Sequence, residues 1–303
     1  MISSSSRWPR LGGKKKNSLA AAAHKPWTDT VLEDRPKRSG ISPGLRWSVA
    51  GALLGALLAL LCFAPAAWLA RGLASASAEH LLLTDTRGSI WAGSGVLVLT
   101  GGAGSRDASA LPGRVEWTMG LRGTSLLLRA RQACCLNGEL QLQIKPGLGK
   151  LEIELPAAGD WLARLPAAWL SGLGTPWNTL QLEGSVRLSA RQFKLDWVQG
   201  RWAMLGQLDL DFINLSSRVS TLAPLGSYRL SVSADAQNVG QTRLMLSTLD
   251  GALILSGQGT AGGAARARFN GEAQAAPGRE AALNNLLNII GRRQGARSVI
   301  TIG

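Results

Sequence analysis

Residues 47–70, WSVAGALLGALLALLCFAPAAWLA, form 24 consecutive positions without a charge, bounded by Arg46 and Arg71. As a helix this run is about 36 Å long, enough to cross a hydrocarbon core of about 30 Å. Its leucines favour insertion, and Trp47 and Trp68 lie near its ends, where amphipathic rings prefer the membrane interface. The run predicts one transmembrane helix. Ala76-Ser77-Ala78 has the small-x-small form of a cleavage site, but the apolar run far exceeds the roughly 7–15 residues of a signal-peptide core. A retained anchor is therefore expected. Pro65 is a potential kink. Gly51, Gly55 and Ala59 recur at every fourth position, a row that lets another helix approach closely.

Charge sets the expected orientation. Residues 1–46 carry ten Lys or Arg and three Asp or Glu, half of the chain's net +14. They hold few large apolar residues, so the segment is expected to be disordered. A short basic flank stays in the cytoplasm and also meets anionic lipid. The expected organisation is a cytoplasmic tail (1–46), an inner-membrane helix (47–70) and a periplasmic domain (71–303). A basic tail can also mark a nucleic-acid binder, but this placement argues against nucleic acid.

Beyond residue 80 the hydrophobic period is two. Glu139–Lys145, Lys150–Leu155, Thr179–Ser189 and the stretch from Gln207 to Ile213 all alternate. Ser227–Ala234, Arg243–Leu249 and Ala252–Ser256 follow, with an early strand at Ile90–Thr100 and a last one at Ser298–Ile302. Gly, Pro, Asn and Asp clusters separate the runs. Half-apolar strands at short spacing imply a curved antiparallel sheet with one covered face, and βαβ architecture is disfavoured. Two segments read as short helices: Asp160–Gly172, interrupted by Pro166, and Glu280–Arg293, whose Leu283, Leu286, Leu287 and Ile290 have helical spacing. The fold class is mainly β with one N-terminal transmembrane helix.

Candidate chemistry is sparse. The chain has two histidines, and only His80 follows the apolar run. No serine has a plausible His partner, and no metal-ligand cluster or P-loop is seen, so an enzyme is not expected and no cofactor is implied. Gly257–Gly262 matches GxGxxG, but without βαβ context it reads as a hairpin turn. Asp209 with Asp211, and Glu152 with Glu154, share strand faces and read as solvated polar positions. Cys62 reads as a small apolar residue of the span. Cys134 and Cys135 would point to opposite faces of a strand and read as structural filler.

Several phrases in order resemble one family. They are Gly88-Ser-Ile-Trp91-Ala-Gly93, Leu111-Pro112-Gly113-Arg-Val-Glu-Trp117, Leu173-Gly174-Thr-Pro176-Trp177 leading to Glu183-Gly184, Ala223-Pro224-Leu-Gly226-Ser-Tyr228, and Leu286–Gly291 before Ser298–Ile302. Together with the layout, they resemble the type II secretion system protein N (GspN) family over roughly residues 45–303. The resemblance implies a non-enzymatic inner-membrane subunit that supports export of folded periplasmic proteins through an outer-membrane secretin, with other secretion subunits and membrane lipid as partners. The matched Gly, Pro, Trp and Tyr positions are expected to fix the fold first and to make contacts second. The alternative is an anchored periplasmic protein that handles lipid on an apolar β-groove.

Overall fold

The computed structural model describes residues 43–155, 160–198, 200–235, 240–262 and 267–303. Most of the expected disordered tail lies outside the described residues. Helix α1 spans Pro43–Cys62, starting four residues before the expected span, and α2 spans Ala66–Ala76. The single helix expected over 47–70 is thus two. Pro65 lies between them with extended backbone and has no N–H to continue the ladder. Within α1, Gly44–Cys62 is long and apolar enough to cross a membrane.

The first strands are β1 (Leu81–Gly88), β2 (Ala92–Thr100), β3 (Ala108–Ala110), β4 (Val115–Arg122) and β5 (Ser125–Arg131). Next come β6 (Glu139–Gly147), β7 (Lys150–Glu154), β8 (Ala163–Pro166), a 3-10 turn at Ala167–Leu173 and the single-turn α3 (Trp177–Leu180). The paired strands β9 (Leu182–Val198) and β10 (Arg201–Ser217) follow. The chain ends with β11 (Gly226–Ala234), β12 (Gln241–Gly251), β13 (Leu253–Gly262), β14 (Arg268–Ala275), α4 (Glu280–Ile290), β15 (Arg292–Gln294) and β16 (Arg297–Ile302).

The strands make one open antiparallel sheet in the order β1-β2-β4-β5-β6-β7-β9-β10-β11-β12-β13-β14-β16-β15, with β3 on β2 and β8 on β9. The far half of β9 pairs with β7, and its near half pairs with β8. Consecutive strands connected by short turns account for nearly the whole order, as alternation between turn-forming clusters predicts.

Three expectations change here. Asp160–Gly172 is not a helix throughout, because its centre is strand β8 before the 3-10 turn begins at Ala167. Thr179 and Leu180 belong to α3, so β9 starts at Leu182. Gly257–Gly262 is not a turn but the body of β13, paired with both β12 and β14.

Register pairs place like with like, giving the sheet an apolar and a polar side. Leu121, Leu126, Ile144, Ile153, Leu195 and Met204 are successive partners across six strands. Leu188, Leu210, Leu230 and Leu246 continue the same side, ending over Gly257, Gly271 and Ile300. A bulge keeps the two rows in phase: β9 has one residue more than β10 between Arg191 and Lys194, where Gln192 and Gly206 both take positive φ.

Helix α4 covers one end of the apolar side. Its Leu283, Leu286 and Leu287 are fully buried in a cluster with Val186, Tyr228, Leu253 and Ala273. Burial of each leucine stabilises the fold by about 1.5–3 kcal/mol. The 3-10 turn contributes Trp169 to a second cluster with Leu99, Leu111 and Cys135.

Candidate functional site

The apolar side contains a groove of about 470 Å³ between β10–β14, β16 and helices α3 and α4. Its lining is almost wholly aliphatic and aromatic. Ser217 and Tyr228 bring hydroxyl groups, and both are engaged: Ser217 donates to the Leu180 carbonyl and Tyr228 to the Leu253 carbonyl at 3.0 Å. Burial pushes the Tyr228 phenol well above its ordinary range.

The floor of the groove depends on glycine. Gly257 and Gly271 lie side by side, and a Cβ on Gly257 would come within 2.4 Å of the Phe269 ring. The ring therefore lies across the strands where side chains would otherwise stand.

Between β4 and β7 the same side of the sheet is open. Leu126, Leu128, Leu140, Leu142, Ile144 and Ile153 are half-buried. Among the described residues the helices cover other strands, chiefly β1–β3, β9 and β14–β16.

The polar side is a lattice of ion pairs. Asp211 accepts from Arg187 on β9 and from Arg229 on β11 at 2.6–2.9 Å, and Asp209 accepts from Arg191, Gln207 and Ser231. Both carboxylates are buried, so the expectation of solvated aspartates is corrected. Arginines on the flanking strands close over carboxylates on the central one. The bond from Arg229 holds the Asp211 carboxyl below its ordinary range despite burial. For Asp209 burial pushes up, but the donated bonds prevail and the net shift is down. Glu152 and Glu154 are half-exposed and bridge Lys145 and Lys194. The lysine ammonium groups, Lys145 foremost, draw Glu152 down to about 2.

The residues singled out by sequence collect in separate places. Gly88 pairs with Gly93 at the β1–β2 turn, where the Trp117 ring lies close to Gly93 and Trp91 reaches back to α1. The Pro112 carbonyl accepts from Gln132 at 2.6 Å beside Gly113. Gly174 ends the 3-10 turn, while Pro176 and Trp177 line the groove. Gly184 faces the bulge at Asn214. Pro224 leads to Gly226 and to Tyr228, which also lines the groove. The Thr175–Pro176 and Ala223–Pro224 peptides are cis. The third, fourth and last phrases thus meet at the groove, and the first lies at the exit of α1. In α1, Gly51, Gly55 and Ala59 are exposed.

Cys134 and Cys135 form a disulfide within a turn, not filler within a strand. Among the described residues no group of three or more His, Cys, Asp or Glu is placed to hold a metal. Sequence reasoning missed β1, β3, β4, β5, β8 and β15, and the buried Asp–Arg lattice. The lattice had a signal in the alternation of Arg187 with Arg191 opposite Asp209 and Asp211, but it required the register.

A family model described as type II secretion system (T2SS), protein N, matches residues 79–300. No curated protein and no solved structure matches the chain.

Proposed function

The chain belongs to the type II secretion system protein N family, and from that premise we propose that it is a non-enzymatic accessory subunit of the inner-membrane part of the secretion machine. Family membership implies a type II secretion component, with other secretion subunits as its natural partners. In our reading it supports export of folded periplasmic proteins through an outer-membrane secretin. The apolar helix α1 anchors it, the basic N-terminal segment stays in the cytoplasm, and the sheet lies in the periplasm. The family match over residues 79–300 carries this reading.

Removing the gene should reduce the amount of secreted hydrolases in the medium, and the full chain supplied in trans should restore it. Unchanged secretion in the deletion strain would remove this role. A periplasm-dependent reporter fused after Gly303 should be active, and a cytosol-dependent one silent.

The open apolar side of β4–β7 favours a second reading, that the domain handles lipid beside the membrane. Deletion should then alter envelope lipid composition or detergent sensitivity.

A further inference from the structure

We propose that the groove holds an acyl chain of a bilayer phospholipid, with the anionic headgroup at the sheet edge where β7, β10 and β14 begin. This rests on the lipid-handling reading and gives it a site and a ligand.

The lining selects the occupant. Its two hydroxyl groups are already hydrogen-bonded, so it offers nothing to a polar guest. The backbone groups of the central strands are engaged in the ladders on both flanks. An extended peptide on this face would leave its own N–H and C=O groups unpaired, a cost of several kcal/mol. A helix satisfies its own backbone but is about 10–12 Å across with a 5.4 Å pitch, so the groove's 470 Å³ would take about one turn. An alkyl chain needs no partners and gains about 0.8 kcal/mol per buried methylene.

The path selects the source. The β1–β2 turn that holds the end of α1 lies at the same edge of the sheet as the starts of β7, β10 and β14. The end of the groove at Ala267 and Ile302 therefore shares one sheet edge with the anchored end.

Charge selects the headgroup. Ala267 and Ile302 line the groove at the edge where β14 begins and β16 ends. Lys150, Arg201 and Arg268 lie on this edge, exposed and with no acidic partner among the described residues. The nearby Asp235 and Asp196 engage Arg243 and Lys194. Cations mixed with the exposed apolar tips Leu148, Val198 and Trp202 suit an anionic lipid surface.

The test uses the full chain in vesicles of phosphatidylethanolamine and phosphatidylglycerol, with a trace of phosphatidylglycerol bearing a photoreactive group at the acyl end. Peptide mapping should find adducts around Phe269 and Ile289 as well as on α1. Ile289→Glu and Ile302→Glu alter exposed groove-lining positions. Each should lower the groove adducts at least about tenfold, because a carboxylate opposes apolar burial. Adducts on α1 and the melting temperature should not change.

Adducts confined to α1, or groove adducts unchanged in both variants, would overturn the proposal. If deletion alters envelope lipid while the groove stays unlabelled, the lipid reading stands and this site falls. If the groove is labelled as expected and deletion leaves the envelope unchanged, the site stands and the wider reading falls.

Discussion

The Trp91 indole N–H donates to the Leu61 carbonyl at 2.8 Å, joining the last turn of α1 to the turn between β1 and β2. In an unbroken helix that carbonyl would accept from residue 65, but Pro65 has no N–H. A tryptophan from the sheet thus supplies the missing donor. The neighbouring Ile90 N–H bonds to the Ala64 carbonyl at 3.0 Å, so the joint is held at two points. Trp91→Phe should keep the fold while losing about 1 kcal/mol at this joint. Amide hydrogen exchange at Ile90 should quicken, with exchange in β10 and β11 unchanged.

The buried Asp211 carboxylate predicts a measurable loss of stability on its removal. Asp211→Ala would leave Arg187 and Arg229 facing each other across an empty position. Surface pairs contribute under about 1 kcal/mol and loss of a fully buried partner costs about 3–5, and these arginines remain partly exposed. An intermediate loss of about 2 kcal/mol is expected, read as a lower midpoint in urea unfolding. Arg229→Ala combined with Asp211→Ala should cost less than the sum of the two single changes.

The acid response has a defined sign. Glu152 is held at about 2 in the folded chain against an ordinary value of 4.5. Its contribution to stability is therefore complete above pH 4.5 and is lost as pH falls from 4.5 toward 2. Asp209 and Asp211 are shifted down as well and act in the same direction. Melting temperature should fall with acidification through this window, and Glu152→Gln should make the fall shallower.

Tyr228 is the chain's single tyrosine, so an ultraviolet titration of phenolate reads it alone. Its buried hydroxyl should show no ionisation at pH 10, the ordinary midpoint, and should titrate only as the sheet unfolds. Tyr228→Phe removes the bond to Leu253 and should cost about 1 kcal/mol.

Gly226 gives the backbone counterpart. It has a φ of +151°, and a Cβ there would approach the Asp250 carbonyl to 2.4 Å. Gly226→Ala should cost about 1–3 kcal/mol, because β11 and β12 must separate to admit the methyl group. Circular dichroism melts would measure the loss.

Strands β2, β6, β7, β10–β13 and β16 and the near half of β9 were legible because alternation persists wherever one side of a sheet is apolar and the other polar. Helix α4 was legible from the spacing of Leu283, Leu286 and Leu287, and all three are buried. Strand β1 was not, because Leu81-Leu82-Leu83 is a continuous apolar run with no period of its own. Asp209 and Asp211 were placed on the correct side but read as solvated, since their burial comes from arginines on β9 and β11 that no local pattern locates. The groove depends on glycines read as a turn. Within β13, Gly257 and Gly259 have the period of a strand but no side chains to display it.

The bulge at Gln192 acts as a phase corrector for the longest hairpin. With that residue deleted, the distal half of β9 would rotate by half a turn relative to its neighbours. Leu195 and Trp197 would emerge among the salt bridges, and Lys194 and Asp196 would be driven into the oily layer. One missing codon would turn that stretch of strand inside out while leaving its composition almost untouched.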